Sequence, residues 1–304
     1  MLHITDDMVA EAVGASDAEA VLTDAFRLFG VGAAAMQERI RTEAEGIKLS
    51  TLGAVIPGQD VVGAKVYSTI AGQFSFALVL FSATDGRLLA TLEANAITRL
   101  RTAACSVIAA RYLARPDAKR LAIFGAGVQG NAHAAQLSAT FSIEEILLCS
   151  RRGDPALADE IAAEAGRPAR LVTAEEAVAS ADIIVTASRS TGPLFSGESL
   201  RPGTFVAAVG SSLPTTRELD DAALARMSVV AVEWRTQSLR EAGDLVLADP
   251  AVLPPQKIVE LGELVTGARQ GRSDATEITL YKSVGVGLED IAVAGLAYRR
   301  IAGV

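Results

Sequence analysis

The sequence contains little cysteine and histidine, and positive charge is in the minority. Among its 304 residues there are two cysteines and two histidines, and the formal net charge is −8. Two thiols make neither a disulfide framework nor a zinc site, and two scattered histidines make no histidine-based centre, so we expect no metal. The negative charge argues against nucleic acid or an anionic membrane surface as the main partner.

Long hydrophobic runs are also missing. A membrane-spanning helix needs about 20 apolar residues, whereas the run "FALVLF" at 76–81 has the length of a strand. At the N-terminus, acidic residues stand where a signal peptide would carry basic ones. These absences predict a cytoplasmic protein. Half of the residues are hydrophobic, which is enough for a substantial core.

The sequence does contain a clear change of pattern near residue 119. Before it, residues 61–68, 74–82 and 87–93 are rich in β-branched and aromatic residues and predict strands, and the Ala-rich segment 98–114 predicts a helix. After it, short apolar segments alternate with helical ones. Alternation of this kind predicts a parallel sheet covered by helices.

The regions on either side of this alternation predict a second domain. We expect residues 1–115, completed by a C-terminal helix within 285–304, to form one discontinuous α+β domain. Residues 116–284 are expected to form a domain inserted between these two parts. The predicted fold class is α/β, a doubly wound parallel sheet together with this α+β domain.

A glycine-rich turn, "GAGVQG" at 125–130, carries the pattern G-x-G-x-x-G between a predicted strand and a predicted helix. In this context Gly125 permits a tight turn, Gly127 a close approach to a pyrophosphate, and Gly130 close packing of the helix on the strand. The helix N-terminus offers free N–H groups and partial positive charge to phosphates. We therefore predict a Rossmann-type dinucleotide site; the alternative is a turn shaped by packing alone.

The end of the next predicted strand indicates which dinucleotide is bound. An NAD site has an acidic residue near this position, whereas this chain has Ser150, Arg151 and Arg152. A hydroxyl and two guanidinium groups suit a 2′-phosphate, so we expect NADP(H) to be preferred, with NAD(H) as the alternative. The neighbouring Asp154 would favour NAD, and a solvated basic turn is the remaining interpretation.

Segments along nearly the whole chain resemble the ornithine cyclodeaminase/mu-crystallin family. They are "GAKVY" (63–67), "ITRLRTAACSVIAARYLARPDAK" (97–119), "FGAGVQGNAH" (124–133), "ELD" (218–220) and "ITLYKSVGVGLEDIA" (278–292). The resemblance implies a homodimer with a substrate and dimerisation domain made from both chain ends. It also implies a Rossmann domain for NAD(H) or NADP(H), with the substrate between the nicotinamide and the other domain.

The resemblance also implies which residues bind the substrate. The segment "RIRTEA" (39–44) is similar to the one whose arginine holds the substrate carboxylate, which points to Arg41, with Arg39 as the alternative register. "RLRTAA" points to Arg101 as the second such arginine, and "GAKV" to Lys65, which would face the substrate. Two guanidinium groups and an ammonium suit a carboxylate beside a nitrogen centre. The alternative interpretation is that these residues are surface cations. It applies least to Lys65, which stands in an otherwise apolar strand.

The expected dinucleotide contacts combine the glycine-rich turn, the end of the following strand and later turns. They are Gly125, Ala126, Gly127, Val128, Gln129, Gly130, Ser150, Arg151, Arg152, Thr186, Ser188, Val209, Gly210 and Ser283. No metal ligands are predicted.

Ser212 marks a departure from the cyclodeaminases of the family. They carry an Asp in a segment G-x-D-x-P, where this chain has Ser212 within "VGSSLP" (209–214). A hydroxyl near pH 7 does not perform a carboxylate's proton transfer unaided, so direct ornithine cyclodeamination is not expected. A reductase needs a carboxylate clamp, a hydride donor and a proton for the imine nitrogen. We expect Lys65 to donate that proton and Ser212 to orient a water.

These features predict an NAD(P)H-dependent imine (C=N) oxidoreductase. Its leading reaction would be Δ1-pyrroline-2-carboxylate to L-proline, in proline metabolism. The alternatives within the family are a cyclodeaminase, an amino-acid dehydrogenase or a hydroxyproline lyase. From another class, the alternative is a non-catalytic binder of NADPH or a small ligand, against which Lys65 and Arg101 argue. The expected partners are a small cyclic imino acid and a second copy of the chain.

Overall fold

The computed structural model describes residues 2–304, which fold into two compact units. Unit 1 comprises the chain up to Ala104 and from Gly285 onward, and unit 2 comprises Cys105–Val284. The boundary between them therefore falls inside a helix, whereas the sequence analysis placed it after residue 115, beyond the end of that helix.

The regular elements follow one another along the chain with the alternation that the sequence predicts after residue 119. The first ones are β1 (Leu2–Ile4), α1 (Asp6–Ala12), α2 (Ala15–Gly30), β2 (Ala35–Met36), β3 (Ile40–Ala44), β4 (Ile47–Ile56), β5 (Val61–Ile70), β6 (Gln73–Ser82), β7 (Leu88–Glu93) and α3 (Asn95–Leu113). The later ones are β8 (Arg120–Phe124), α4 (Val128–Thr140), β9 (Glu145–Cys149), α5 (Ala156–Ala165), β10 (Ala169–Leu171), α6 (Ala174–Ser180), β11 (Ile183–Thr186), β12 (Phe205–Ala208), α7 (Asp221–Arg226), β13 (Met227–Val232), α8 (Arg235–Glu241), α9 (Gly243–Val246), β14 (Ile258–Glu260), α10 (Leu261–Thr266), β15 (Ile278–Lys282) and α11 (Gly287–Ala302).

The boundary between the units falls within helix α3, because the C-terminal end of this helix is hydrogen-bonded to other residues of unit 2. The carbonyl of Tyr112 accepts the amide of Arg272 at 2.9 Å, and the carbonyl of Leu113 accepts Arg272 Nε at 2.7 Å. At its other end the helix begins at Asn95, earlier than predicted, because the Asp6 carboxylate accepts the Asn95 amide group and the backbone N–H of Ala96. Neither this helix nor any other within residues 2–304 is long and apolar enough to cross a membrane.

Unit 1 is built on a mixed sheet with the strand order β1-β7-β6-β5-β4-β2, and β3 also pairs with β4. Strands β4 to β7 are antiparallel neighbours. Helix α11 packs on the face of the sheet that carries Val61, since a Cβ at Gly295 of that helix would lie 2.8 Å from this side chain. Side chains alternate between the two faces of a strand, so Lys65 lies on this same face as Val61.

Unit 2 is an eight-stranded parallel sheet with the order β10-β9-β8-β11-β12-β15-β13-β14. Strands such as β11 and β12 are buried along their whole length, as expected for a parallel sheet with helices on both faces. The order of the strands reverses beside β8, and ligands of such sheets bind in the crevice beyond the carboxyl ends of the strands at this point. The doubly wound fold class is confirmed.

Candidate functional site

The glycine-rich turn joins β8 to α4 in unit 2 with a geometry that needs two of its glycines. Gly125 has φ +114°, and a Cβ there would lie 2.6 Å from the carbonyl oxygen of Ala187. A Cβ at Gly130 would collide with the carbonyl oxygen of Gly125. These contacts bring the start of α4 directly over the end of β8, which is the packing expected of a dinucleotide-binding turn.

The start of helix α4 is arranged to receive an anion. Gly127 is its N-cap, makes no side-chain capping bond, and has no heavy atom within 4 Å of the place a Cβ would take. Val128, the first residue of the helix, is 65% exposed. The backbone N–H groups at a helix N-terminus have no partner inside the helix and favour negative charge. The turn therefore fits a pyrophosphate.

A cavity of about 660 Å³ opens beside this turn. Predicted cofactor residues from the turn, from the end of β9 and from the end of β11 line it together: Gly125, Ala126, Gly127, Ser150, Arg151, Arg152 and Ser188. Arg189, which the sequence analysis did not select, lines it as well. Cavities of this size hold organic ligands. Its position over the strand ends and its donor set fit a phosphate-bearing dinucleotide.

Asp154, the sequence feature that favoured NAD, has another role in the structure. Its carboxylate accepts the backbone N–H of Ala156 at 3.0 Å, at the start of helix α5. Carboxylates near a helix N-terminus stabilise it, so this one is engaged with the helix. Arg151 and Arg152 are exposed and line the cavity. This arrangement leaves hydroxyl and guanidinium donors where an NAD site would place an acid.

Glu218 holds several of the predicted cofactor residues in place. Its side chain is fully buried. One carboxylate oxygen accepts Thr186 Oγ1 at 2.8 Å and the amide of Gly210 at 2.9 Å. The other accepts the amide of Ser188 at 2.9 Å and its hydroxyl at 2.6 Å. In the sequence, Glu218 is visible only as part of the segment "ELD", which gives no sign that this side chain joins the ends of two strands.

Three other predicted cofactor residues of unit 2, Val209, Ser283 and Gln129, have hydrogen-bond partners within the unit. The amide of Val209 donates to the carbonyl of Thr186 at 2.8 Å. Ser283 is buried after β15, and its hydroxyl donates to Glu233 at 2.6 Å. The carbonyl of Gln129 accepts Nδ1 of the buried His133 at 2.7 Å. Their contact with a dinucleotide stays a prediction.

Lys65 lies in a buried cluster of charged groups in unit 1. The residue as a whole is 2% exposed, and β5 places it between Leu52 and Leu78 of the neighbouring strands. The ammonium donates to Thr98 Oγ1 at 2.6 Å and to Asp290 Oδ1 at 2.9 Å. It also lies 4.5 Å from the centre of the Phe76 ring, a distance typical of a cation–π contact.

Arg101 joins the same cluster from helix α3. Its Nη1 donates to Glu289 Oε2 at 2.5 Å, and its Nε lies 3.4 Å from Asp290 Oδ1. Glu289 and Asp290 are adjacent, fully buried residues of the first turn of α11. Acids in a first helical turn are stabilised by the helix dipole. Both residues stand in the family segment 278–292, and no function was predicted for either of them.

Burial and the neighbouring charges shift the pKa values of this cluster. Burial lowers the pKa of Lys65 to about 8; the charge of Asp290 opposes this change, and that of Arg101 adds to it. Burial alone would raise the pKa of Asp290, but the positive charges of Lys65 and Arg101 outweigh it and hold this pKa below its usual value. At neutral pH the cluster therefore contains an ammonium next to a carboxylate.

Of the two arginines in "RIRTEA", Arg39 lies close enough to the cluster to act on its charges. Its Nη2 donates to the carbonyl of Gly285 at 2.7 Å, and its charge contributes to the pKa shifts of Lys65 and Asp290. Arg41 pairs across β3 and β4 with Ser50. Ser50 in turn pairs with Tyr67, two residues after Lys65 on β5, so Arg41 and Lys65 lie on the same face of the sheet. Arg39, the arginine of the alternative register, therefore reaches the cluster. Binding of the substrate carboxylate by Arg41 stays a prediction.

Ser212 lies in the loop that follows β12 in unit 2, and a buried ion pair holds this loop. Lys282 Nζ donates to the carbonyl of Ser211 at 2.7 Å and lies 2.9 Å from Asp244 Oδ2. Asp244 Oδ1 in turn accepts the amide of Glu218 at 2.7 Å. Neither member of this pair was predicted from the sequence. The catalytic function of Ser212 stays a prediction.

Comparison with known proteins gives three close relatives. The structure of a probable ornithine cyclodeaminase from Bordetella pertussis Tohama I superposes with a TM-score of 0.98 at 57% identity, covering 100% of this chain and 97% of that one. Thermococcus litoralis Δ1-pyrroline-2-carboxylate reductase, solved with NADH and L-proline, gives a TM-score of 0.94 at 28% identity, covering 100% and 98%. Δ1-pyrroline-2-carboxylate reductase of Bacillus cereus is 38% identical over 263 residues, which are 85% of this chain and 78% of the relative. Residues 2–304 match the family model, and the chain belongs to the ornithine cyclodeaminase/mu-crystallin family.

Proposed function

We propose that this protein reduces a small cyclic imino acid, with Δ1-pyrroline-2-carboxylate to L-proline as the leading reaction. The chain is an oxidoreductase, the class to which its relatives named as reductases belong. The observation that carries the proposal is the buried cluster of Lys65, Arg101 and Asp290, which combines a carboxylate-binding guanidinium with a proton-bearing ammonium. A cyclic imino acid presents one carboxylate and one C=N bond, which match these two groups.

The reaction adds a hydride to the imine carbon and a proton to the imine nitrogen. NADPH or NADH, when bound in the cavity of unit 2, supplies the hydride. Arg101, with Arg39 or Arg41, binds the substrate carboxylate through paired N–H groups. Lys65 gives the proton from Nζ, directly or through a water that Ser212 orients. A pKa of about 8 suits this step, since a donor works best when its pKa is near the working pH.

We propose that NADPH is preferred over NADH. The support is the set Ser150, Arg151 and Arg152 on the wall of the cavity, together with the engagement of the Asp154 carboxylate at the start of helix α5. A guanidinium group binds phosphate oxygens through two parallel N–H groups, whereas the ribose 2′-hydroxyl of NADH is bound by an acidic side chain.

Ornithine cyclodeamination is the competing function. The 57%-identical protein from Bordetella pertussis is described as a probable ornithine cyclodeaminase. Against it stands Ser212, whose hydroxyl replaces the carboxylate that the resemblance assigns to acid–base chemistry in cyclodeaminases. We therefore favour the reductase.

We further propose that the protein is a homodimer formed through the sheet of unit 1. Helix α11 packs on the face that carries Val61, while the opposite face carries Val66 and Val79, both half-buried, and Leu49, which is 50% exposed. Partly exposed apolar side chains grouped on one sheet face are typical of an interface. Val66→Glu should yield a monomer in size-exclusion chromatography with light scattering. An unchanged elution mass for this variant, or a monomeric wild type, would contradict the proposal.

The function is tested with a panel of five- and six-membered cyclic imino acids and L-ornithine, each with NADPH and with NADH. We expect steady loss of absorbance at about 340 nm with the five-membered imine, and L-proline as the product on a chiral column. Ammonia release from L-ornithine without net cofactor consumption would assign the cyclodeaminase instead. Binding of NADPH without turnover of any compound would indicate a binding protein.

A further inference from the structure

The Asp290 carboxylate forms an ion pair with the Lys65 ammonium. Helix α11 belongs to the C-terminal end of the chain and brings this carboxylate to 2.9 Å from Lys65 Nζ on β5. Both side chains are almost completely buried, at 3% and 0% exposure. An ammonium in such a place needs an anion beside it to stay charged, because water does not solvate it.

The groups around Lys65 come from several elements, and they shift its pKa in opposite directions. Arg101 from helix α3 and Arg39 from the segment before β3 bring positive charge, which disfavours the ammonium. Thr98 from α3 and the Phe76 ring from β6 are neutral contacts. Glu289 of α11 is bonded to Arg101. Asp290 is thus the carboxylate in direct contact with the ammonium and counters both guanidinium groups.

We propose that Asp290 is a positioning residue of the imine reductase: its carboxylate keeps the Lys65 ammonium charged and fixes its orientation within the buried cluster of unit 1. This inference rests on the proposed function for its kinetic consequence, but the pairing itself is a property of the folded chain. Asp290 Oδ1 is also 3.4 Å from Arg101 Nε, so a single carboxylate oxygen sets the spacing between the proton donor and the carboxylate-binding guanidinium.

The test compares Asp290→Asn with a matched variant of the adjacent residue, Glu289→Gln. Each replaces a fully buried carboxylate of the same helical turn by an amide of the same shape, but the first contacts Lys65 and the second Arg101. The Lys65 pKa is read directly by ¹³C NMR of the lysine Cε, assigned by loss of the signal in Lys65→Met. This measurement needs no substrate.

We expect Asp290→Asn to lower the pKa of Lys65 by about one pH unit or more, as expected for loss of an opposite charge in contact. The alkaline limb of kcat should move down by the same amount, giving about a tenfold loss at pH 9 with little change in KM. Glu289→Gln should instead raise KM for the imine and leave the Lys65 titration close to that of the wild type. An Asp290→Asn protein with an unchanged Lys65 titration would overturn the proposal.

A buried ammonium without its anion can prevent folding, and this outcome is also informative. If Asp290→Asn does not fold, the double variant Lys65→Met/Asp290→Asn removes both charges and should fold. A double variant that also fails to fold would overturn the pairing. Failure of the proposed function is separate: the wild type would then turn over no cyclic imine, while the NMR titration would still show whether Asp290 controls Lys65.

Discussion

Lys65 Nζ and Asp290 Oδ1 lie 2.9 Å apart, although 225 positions separate the two residues in the sequence. The contact exists because helix α11 returns to the sheet formed by the N-terminal part of the chain. One end of the chain thus supplies the ammonium and the other end supplies its counter-charge. The predictions below follow from this cluster and from the cavity of unit 2.

Replacing Lys65 with Met should lower kcat for imine reduction by about 10²-fold or more, the usual scale of general acid catalysis. In the wild type, kcat should fall as pH rises through about 8, because the ammonium then loses the proton that the step requires. Lys48→Met is the matched control, since Lys48 lies on the adjacent strand β4 in an exposed pair with Glu43. Near-normal kcat in Lys65→Met would show that the proton comes from solvent or from an imine that is already protonated.

Arg101→Met should mainly raise KM for the imino acid, because a carboxylate clamp holds ground and transition states alike. The variants Arg39→Met and Arg41→Met, compared with each other, decide which of these two arginines binds the substrate carboxylate. Because Arg39 contacts the carbonyl of Gly285 beside the cluster, we expect Arg39→Met to raise KM more than Arg41→Met. The reverse order in steady-state kinetics would restore Arg41 as the clamp.

Arg151→Asp should shift cofactor preference toward NADH. Loss of one charge-assisted contact to the 2′-phosphate costs about 1.5–3 kcal/mol, which would be read as weaker NADPH binding by fluorescence titration and as a lower kcat/KM. Arg167→Ala is the control, because its guanidinium bonds the neighbouring carbonyl of Gly166 instead. Unchanged kcat/KM with NADPH after removal of both Arg151 and Arg152 would contradict the assignment.

Glu218→Ala should destabilise the protein and weaken dinucleotide binding together. The change removes the acceptor of Thr186, Ser188 and Gly210 in a buried place, and each donor left without a partner costs about 1–3 kcal/mol. Differential scanning calorimetry should show a melting temperature lower by several degrees. Glu198→Ala, an exposed acid of the same unit, should melt as the wild type does. Equal melting temperatures would mean that Glu218 does not hold the strand ends.

L-Ornithine should give no ammonia at enzyme-like rates, because Ser212 replaces the carboxylate of the cyclodeaminases. Ser212→Asp provides the complementary experiment and should introduce a measurable ammonia-releasing activity if this position sets the reaction. A coupled glutamate dehydrogenase assay measures the product. Release of ammonia by the wild type at the rate of imine reduction would contradict the role given to Ser212.

The sequence predicted the parts of the fold that local patterns determine. The alternation after residue 119 and the glycines at 125, 127 and 130 place the glycine-rich turn where the structure has it, between β8 and α4. Lys65 was also visible, as a cation inside an apolar strand. Short elements such as β1 and β14, three residues each, are too brief for periodicity to reveal.

The buried charged partners could not be predicted from the sequence, for a different reason. Glu218, Asp244 and Asp290 each bond groups that are distant in sequence, and an acidic residue gives no local sign that it will be buried and paired. Arg39 and Arg41 stand only two residues apart in the sequence, so their spacing alone does not indicate which of them reaches the cluster. Only the strand pairing and the position of Gly285 distinguish them.

The most direct test of the account is the stoichiometry of cofactor consumption with Δ1-pyrroline-2-carboxylate. The purified protein is incubated with limiting imine and excess NADPH, and both oxidised cofactor and L-proline are quantified at completion. We predict one NADPH oxidised for each L-proline formed, with no ammonia. L-Proline without net NADPH oxidation, or no L-proline at all, would contradict the assignment of this protein as an imine reductase.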